Sequence, residues 1–152
     1  MIGTSLEEIL DYMNRLTPEH KPLWGKMSAQ RMIEHLTDST RIATGENPQQ
    51  LMIPEDKIER MLLFLDSDKP MAREISVPFA TEEMNDQLRH EEIDLAIDEF
   101  VDVWLHFEEV YENNPEHTEI HPFYGPLNYK QWLRLSQKHF THHFTQFGLI
   151  EG

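Results

Sequence analysis

Apolar residues along this chain recur at steps of three and four, the spacing that lines one face of a helix. Leu6, Ile9, Leu10, Met13 and Leu16 form the first such stripe, with Thr4 or Ser5 available as an N-cap and Glu7 and Glu8 favourably placed in the first turn. Pro18 and Pro22 then enforce a loop. The spacing predicts a second helix over Ala29–Thr44, capped by Ser28, with Met32, Ile33, Leu36 and Ala43 on one face and a stop at Gly45.

Residues 45–53 read as a loop, and Pro54 suits the first turn of a shorter helix ending near Asp66, with Met61, Leu62 and Leu65 as its buried face. Residues 66–80 carry Pro70 and Pro78 and alternate at Ile75, Val77 and Phe79, which predicts an extended crossover treated as a loop. Thr81, Glu82 and Glu83 can start a further helix, and from Ile93 the series Ile97, Phe100, Trp104, Phe107 and Tyr111 makes a bundle-core stripe. Asn113, Asn114 and Pro115 end it. Residues 116–127 are expected to be a loop, and Asn128 caps a last helix running to Phe147, with Gly148 as its stop. All the prolines and glycines fall at the edges of these segments or outside them. The expected fold is all-α, a single bundle-like domain over residues 1–152.

Composition narrows the function classes. The chain has 152 residues, long enough for one domain, and its 39% hydrophobic and 10% aromatic content suffices for a core. Thirteen basic against 28 acidic residues give a formal charge of −15, which repels nucleic-acid phosphates and anionic lipid, so neither is an expected partner. There is no cysteine, so a metal would have to rely on histidine and carboxylate ligands, and thiol chemistry would need a thiol from outside. The N-terminus lacks a basic region followed by an apolar stretch, and the longest apolar run, 61–65, is far too short to span a bilayer. A cytoplasmic location is the expectation.

The candidate chemistry lies in the histidines. In the last helix Tyr129, Trp132, Leu133, Ser136, Phe140, Phe144 and Phe147 form the apolar face. His139 and His143 run along one flank of it, about 40° apart around the axis. Gln146 continues that flank, whereas His142 falls toward the polar side. His35 holds the matching flank of the second helix. If the two faces pack, three neutral nitrogens can meet at one divalent cation and leave positions open for water or substrate, as a catalytic site requires. The plain alternative is coincidence, since nine histidines make some i, i+4 pairing expected and a lone His35 is more often a hydrogen-bonded core-edge residue.

Two longer motifs accompany these residues. Trp24-Gly25-Lys26-Met27-Ser28-Ala29-Gln30 leads into Met32-Ile33-Glu34-His35-Leu36, and His121-Pro122-Phe123-Tyr124-Gly125 leads into His139 and His143 followed by Gln146-Phe147. In this combination the chain resembles the DinB/YfiT-like superfamily of metal-dependent proteins, in element order over nearly its whole length, with little resemblance between about 45 and 93. The resemblance implies a four-helix bundle with one long crossover and frequent dimerisation. It also implies a metal, often nickel or zinc, held at positions matching His35, His139 and His143; by their chemistry iron and manganese accept imidazoles as well. Some members are thiol-dependent transferases or isomerases.

Around such a site, Asp38 and Gln146, each three residues beyond a ligand, are candidates to hydrogen-bond a ligand ring or a bound nucleophile. His121 and Tyr124 are candidates for the pocket wall or for proton transfer, with a loop-ordering hydrogen bond as the simpler role of His121. Trp24 is expected to pack as a staple before the second helix. The leading functional expectation is a metal-dependent transferase or hydrolase acting on a small molecule, with or without a low-molecular-weight thiol. The alternative is a non-catalytic bundle that binds a small ligand or a protein partner.

Overall fold

A computed structural model describes residues 1–73 and 87–151. The alternating residues Ile75, Val77 and Phe79 and the helix start at Thr81 lie outside the described residues. Within them the fold is mostly helical. Helix α1 spans Leu6–Met13, and of the two candidate caps Ser5 is the one used, its hydroxyl accepting from the Glu8 amide at 3.2 Å. Leu16 lies beyond the helix end yet is still buried.

Helix α2, Ala29–Thr44, has the predicted bounds for the predicted reasons. Ser28 accepts from the Arg31 amide, and Gly45 ends the helix at φ 89°, a left-handed turn that a residue with a Cβ resists. The short segment after Pro54 begins as a 3-10 turn, Glu55–Lys57, before becoming α3, Ile58–Asp66. Leu65 of its expected buried face is fully covered, while Met61 and Leu62 are only partly so.

Helix α4, Ile93–Asn113, buries Ile97, Phe100, Trp104, Phe107 and Tyr111, the stripe that the spacing predicts. Helix α5, Tyr129–Gln146, opens with a complete capping box formed by Asn128 and Gln131. Its buried face differs from the expected one. Leu135 and Lys138 are buried, whereas Tyr129, Leu133 and Ser136 are only partly covered. Lys138 is buried because its ammonium donates to the carbonyls of Ser67 and Lys69 just past α3, where the exposed carbonyl end of that helix favours a cation.

The segment expected to be a loop between α4 and α5 instead holds a two-stranded antiparallel hairpin, β1 (Glu119–His121) and β2 (Gly125–Leu127). Gly125 makes this possible on two counts: its φ is 78°, and a Cβ there would stand 2.9 Å from Ile58 Cδ1 of α3. Pro122 and Pro126 hid the strands from a reading based on alternation.

Helix α2 lies against both α4 and α5, while α1 packs on α4 and α3 on α5. The core is lined by α1, α2, α4 and α5, and within it the Phe100, Trp104 and Phe140 ring centroids lie 5.7–5.8 Å apart. The Tyr111 hydroxyl donates to the Ala43 carbonyl at 2.8 Å and ties the far end of α4 to α2. Among the described residues no helix is long and apolar enough to cross a membrane. This packing brings the His35 flank of α2 against the His139–His143 flank of α5.

Candidate metal centre

His139 is the hub. Its Nε2 lies 3.0 Å from His35 Nε2 and 3.0 Å from His143 Nε2, and one ligand nitrogen from each ring falls within 4.8 Å of the others. His35 and His143 are each 8% exposed and His139 is half-buried. The helices thus bring together the residues that spacing had placed on two facing flanks.

Hydrogen bonding on the far side of His143 determines which nitrogen faces this centre. Gln146 Nε2 donates to the Trp24 carbonyl at 3.0 Å, and a carbonyl can only accept, so the other amide atom facing His143 is the oxygen. That oxygen lies 2.8 Å from His143 Nδ1, which must therefore carry a proton. In the neutral ring Nε2 is then a bare lone pair aimed at His139. The Leu23 amide also donates to the Gln146 carbonyl at 2.7 Å, so the 23–24 segment is laced to the end of α5 at two points.

Burial makes the charged form of each ring costly. It lowers the His35 pKa to about 4, with the Arg31 guanidinium one turn earlier and His142 adding to the effect. It lowers His139 well below the usual range, with the neighbouring histidines contributing, and does the same for His143, where the Gln146 hydrogen bond opposes the shift only in part. All three rings are neutral at pH 7. Two rings that meet the same nitrogen, His139 Nε2, cannot both be satisfied by hydrogen bonds, because that atom has either one proton or one lone pair. His139 Nε2 can donate to bare His143 Nε2, but its single proton is then spent and it has nothing further to offer His35. A divalent cation accepts all three lone pairs at about 2.0–2.1 Å each, so the donor set fits a metal ion. Three histidines that lie this close could bind one.

Comparison with family models, with curated proteins and with solved structures returns no match. The functional reading therefore rests on the chemistry of these side chains.

The remaining candidates divide. Gln146 contacts His143 directly, as the spacing suggested. Asp38 does not join the imidazoles: its carboxylate faces Arg89 at 3.1 Å and Arg41 at 3.6 Å. Three residues beyond His35 on a helix, it has rotated toward the arginines of α2 and of the stretch before α4. This corrects its expected place beside a ligand ring. His121 Nδ1 accepts from the Phe123 amide at 3.1 Å and so orders its own hairpin turn, and burial holds its pKa at about 4. Tyr124 is buried against the His121 ring, centroids 4.9 Å apart, and burial pushes its hydroxyl up to about 12. With these values neither exchanges protons readily near neutrality.

His142 is half-buried against Trp24, ring centroids 5.7 Å apart, where a polar, outward-pointing position was expected. Trp24 itself packs on α5 and under Arg73, 4.0 Å from its ring centroid, so it serves the last helix more than the start of α2. Two further groups bear on the centre without standing out in the histidine pattern. One is the Trp24 carbonyl, which orients Gln146 and leaves no trace in a side-chain pattern. The other is Arg31, 5% exposed on α2, detectable as a cation one helical turn before a candidate ligand in a strongly acidic chain.

Proposed function

We propose that this protein is a metal-dependent enzyme of the transferase or hydrolase type, acting on a small molecule with or without a low-molecular-weight thiol. The observation that carries this reading is the meeting of His35, His139 and His143 through neutral nitrogens from two helices, with no hydrogen-bonding scheme that satisfies them. The resemblance to the DinB/YfiT-like superfamily, with its four-helix bundle, bound metal and frequent dimers, points the same way.

In this reading the three rings hold one divalent cation, zinc or nickel first, iron or manganese otherwise. When bound, the cation supplies Lewis acidity that lowers the pKa of a coordinated water or thiol and leaves coordination positions for it. The protein contributes the rest. Gln146, held by the Trp24 carbonyl, keeps the proton of His143 on Nδ1 and its lone pair on Nε2. Phe140 and the surrounding core keep water from the inner side of the rings. His139, half-buried, is the most exposed of the three rings.

Elemental analysis of protein purified without a histidine tag tests the proposal. A stoichiometric metal that disappears in His35→Ala and His139→Ala is the expected result. An empty centre after growth in metal-replete medium would leave a non-catalytic helical bundle. A panel of thiols, followed by loss of a model electrophile, then tests the transferase form: absence of metal-dependent turnover with every thiol removes it.

A further inference from the structure

Arg31 is a buried cation without a settled partner. The residue is 5% exposed, its Nε is buried without a hydrogen-bond partner, and among the described residues its guanidinium donates no hydrogen bond at all. Its nearest ionic contact, to Asp38, is 3.9 Å long. Asp38 has little left to offer, because the same carboxylate takes Arg89 and Arg41 at shorter range. The other carboxylate nearby on α2 is Glu34, fully buried, and it is spent on Gln30 and on the backbone amides of Arg89 and His90.

A guanidinium taken out of water normally meets a carboxylate through paired N–H···O bonds, because an unmatched buried charge is strongly destabilising. Shortage of acids does not explain the arrangement in a chain with 28 of them. Position offers an explanation. Arg31 lies four residues before His35, so the two side chains occupy the same helix face, with Cβ atoms about 5–6 Å apart. A planar fork of donors one turn from a ligand histidine is suited to gripping an oxyanion on a molecule whose reacting atom sits at the imidazoles.

We infer that Arg31 receives a carboxylate or phosphate group of the molecule that binds at the three histidines, and so selects anionic over neutral substrates. The inference rests on the proposed metal centre for its functional meaning. Arg31 acts here as a binding residue and takes no part in bond making.

The test follows the Arg31 Nε–H resonance, assigned by its loss in Arg31→Lys, in metal-free and zinc-loaded protein. Succinate, inorganic phosphate and neutral succinamide are titrated at constant ionic strength. Saturable displacement by one or both anions and none by succinamide is the expected result, and the two anions tell carboxylate from phosphate preference. Arg31→Gln should weaken anion binding by about ten-fold or more while keeping its zinc. It should also leave the thermal midpoint level or raised, the reverse of what loss of a structural cation does. A resonance indifferent to both anions, or undiminished anion affinity in Arg31→Gln, overturns the inference. If Arg31→Gln does not fold, Arg31→Lys decides, since it keeps the charge and loses the fork: affinity equal to wild type overturns the inference, weaker binding supports it. Zinc content of the same samples reports on the imidazoles separately. Loss of zinc binding with a responsive Arg31 removes only the metal reading, and zinc binding with a silent Arg31 removes only this one.

Discussion

Helix α2 borders two clusters of titratable side chains that are built on opposite principles. Around Glu99 the groups are complementary: Arg89 and Arg41 donate to its carboxylate at 2.7 and 3.0 Å, and His90 lies 3.2 Å away. Around His139 the groups are alike, three neutral imidazoles at hydrogen-bond distance with a single proton available where two are wanted. In the first cluster both arginines are matched by carboxylate, with His90 Nε2 left in contact with Glu99 but without a formed hydrogen bond, and the pairing accounts for how the stretch before α4 is fastened to α2. The second is finished only by something that accepts lone pairs. Complementary polar groups in contact explain themselves as structure, while like groups held in contact by a rigid scaffold point to a ligand.

The contrast can be broken most completely at the hub. His139→Ala removes the nitrogen common to both 3.0 Å contacts and should abolish stoichiometric metal retention while leaving helical content by circular dichroism unchanged. Metal held at the wild-type level would show that the imidazoles are not its ligands. A smaller effect is expected one step outward. Gln146→Ala frees the His143 tautomer and should weaken metal affinity by about 10–100-fold, read by competition with a chromogenic chelator.

Acid should separate the two clusters by window. The His35 pKa falls from 6.5 in the unfolded chain to about 4 in the folded protein, so the unfolded state binds more protons between those values. Stability of the metal-free protein present above about 6.5 is therefore lost as pH falls toward 4. For Glu99, burial alone pushes the pKa up, but hydrogen bonds from Arg89 and Arg41 outweigh it and hold the carboxyl at about 2 against 4.5. Its contribution persists to lower pH and is lost only between about 4.5 and 2. Urea midpoints measured across pH should show the upper window made shallower in His35→Ala, since His139, His143 and His121 still titrate through it, and the lower one flattened in Glu99→Gln; a single shared window in all variants would erase the distinction.

The smallest effects are on stability alone. Glu99→Gln should cost about 1–3 kcal/mol by leaving arginines part-buried without their carboxylate, and added salt should shrink the difference. Ser28→Ala removes only the cap of α2 and should cost about 1 kcal/mol, with no change in metal content.

Much of this was legible where local physics acts alone. Ser28 and Gly45 bound α2 because capping and the left-handed turn are short-range, and the α4 stripe follows from helical period. The histidine flanks of α2 and α5 were readable for the same reason. What escaped depended on distant partners. Lys138 is buried because carbonyls beyond α3 receive it, and the β1–β2 hairpin has Pro122 in its turn and Pro126 in β2, with Gly125 set against Ile58 of α3. Asp38 was misplaced because its neighbours in space, Arg89 and Arg41, outbid the imidazole three residues before it. Pairwise packing of the described helices is seen directly, and the mostly helical class stands.

The three rings differ in how far the chain must travel to unite them. His139 and His143 share one turn of α5, but His35 is 104 residues from His139 in sequence. Once α5 coils, its pair offers two nitrogens along one flank without help from α2. An ion caught there early would wait for the third imidazole and then act as a latch, so metal should slow the unfastening of α2 from α5 more than it speeds the first coiling of either helix.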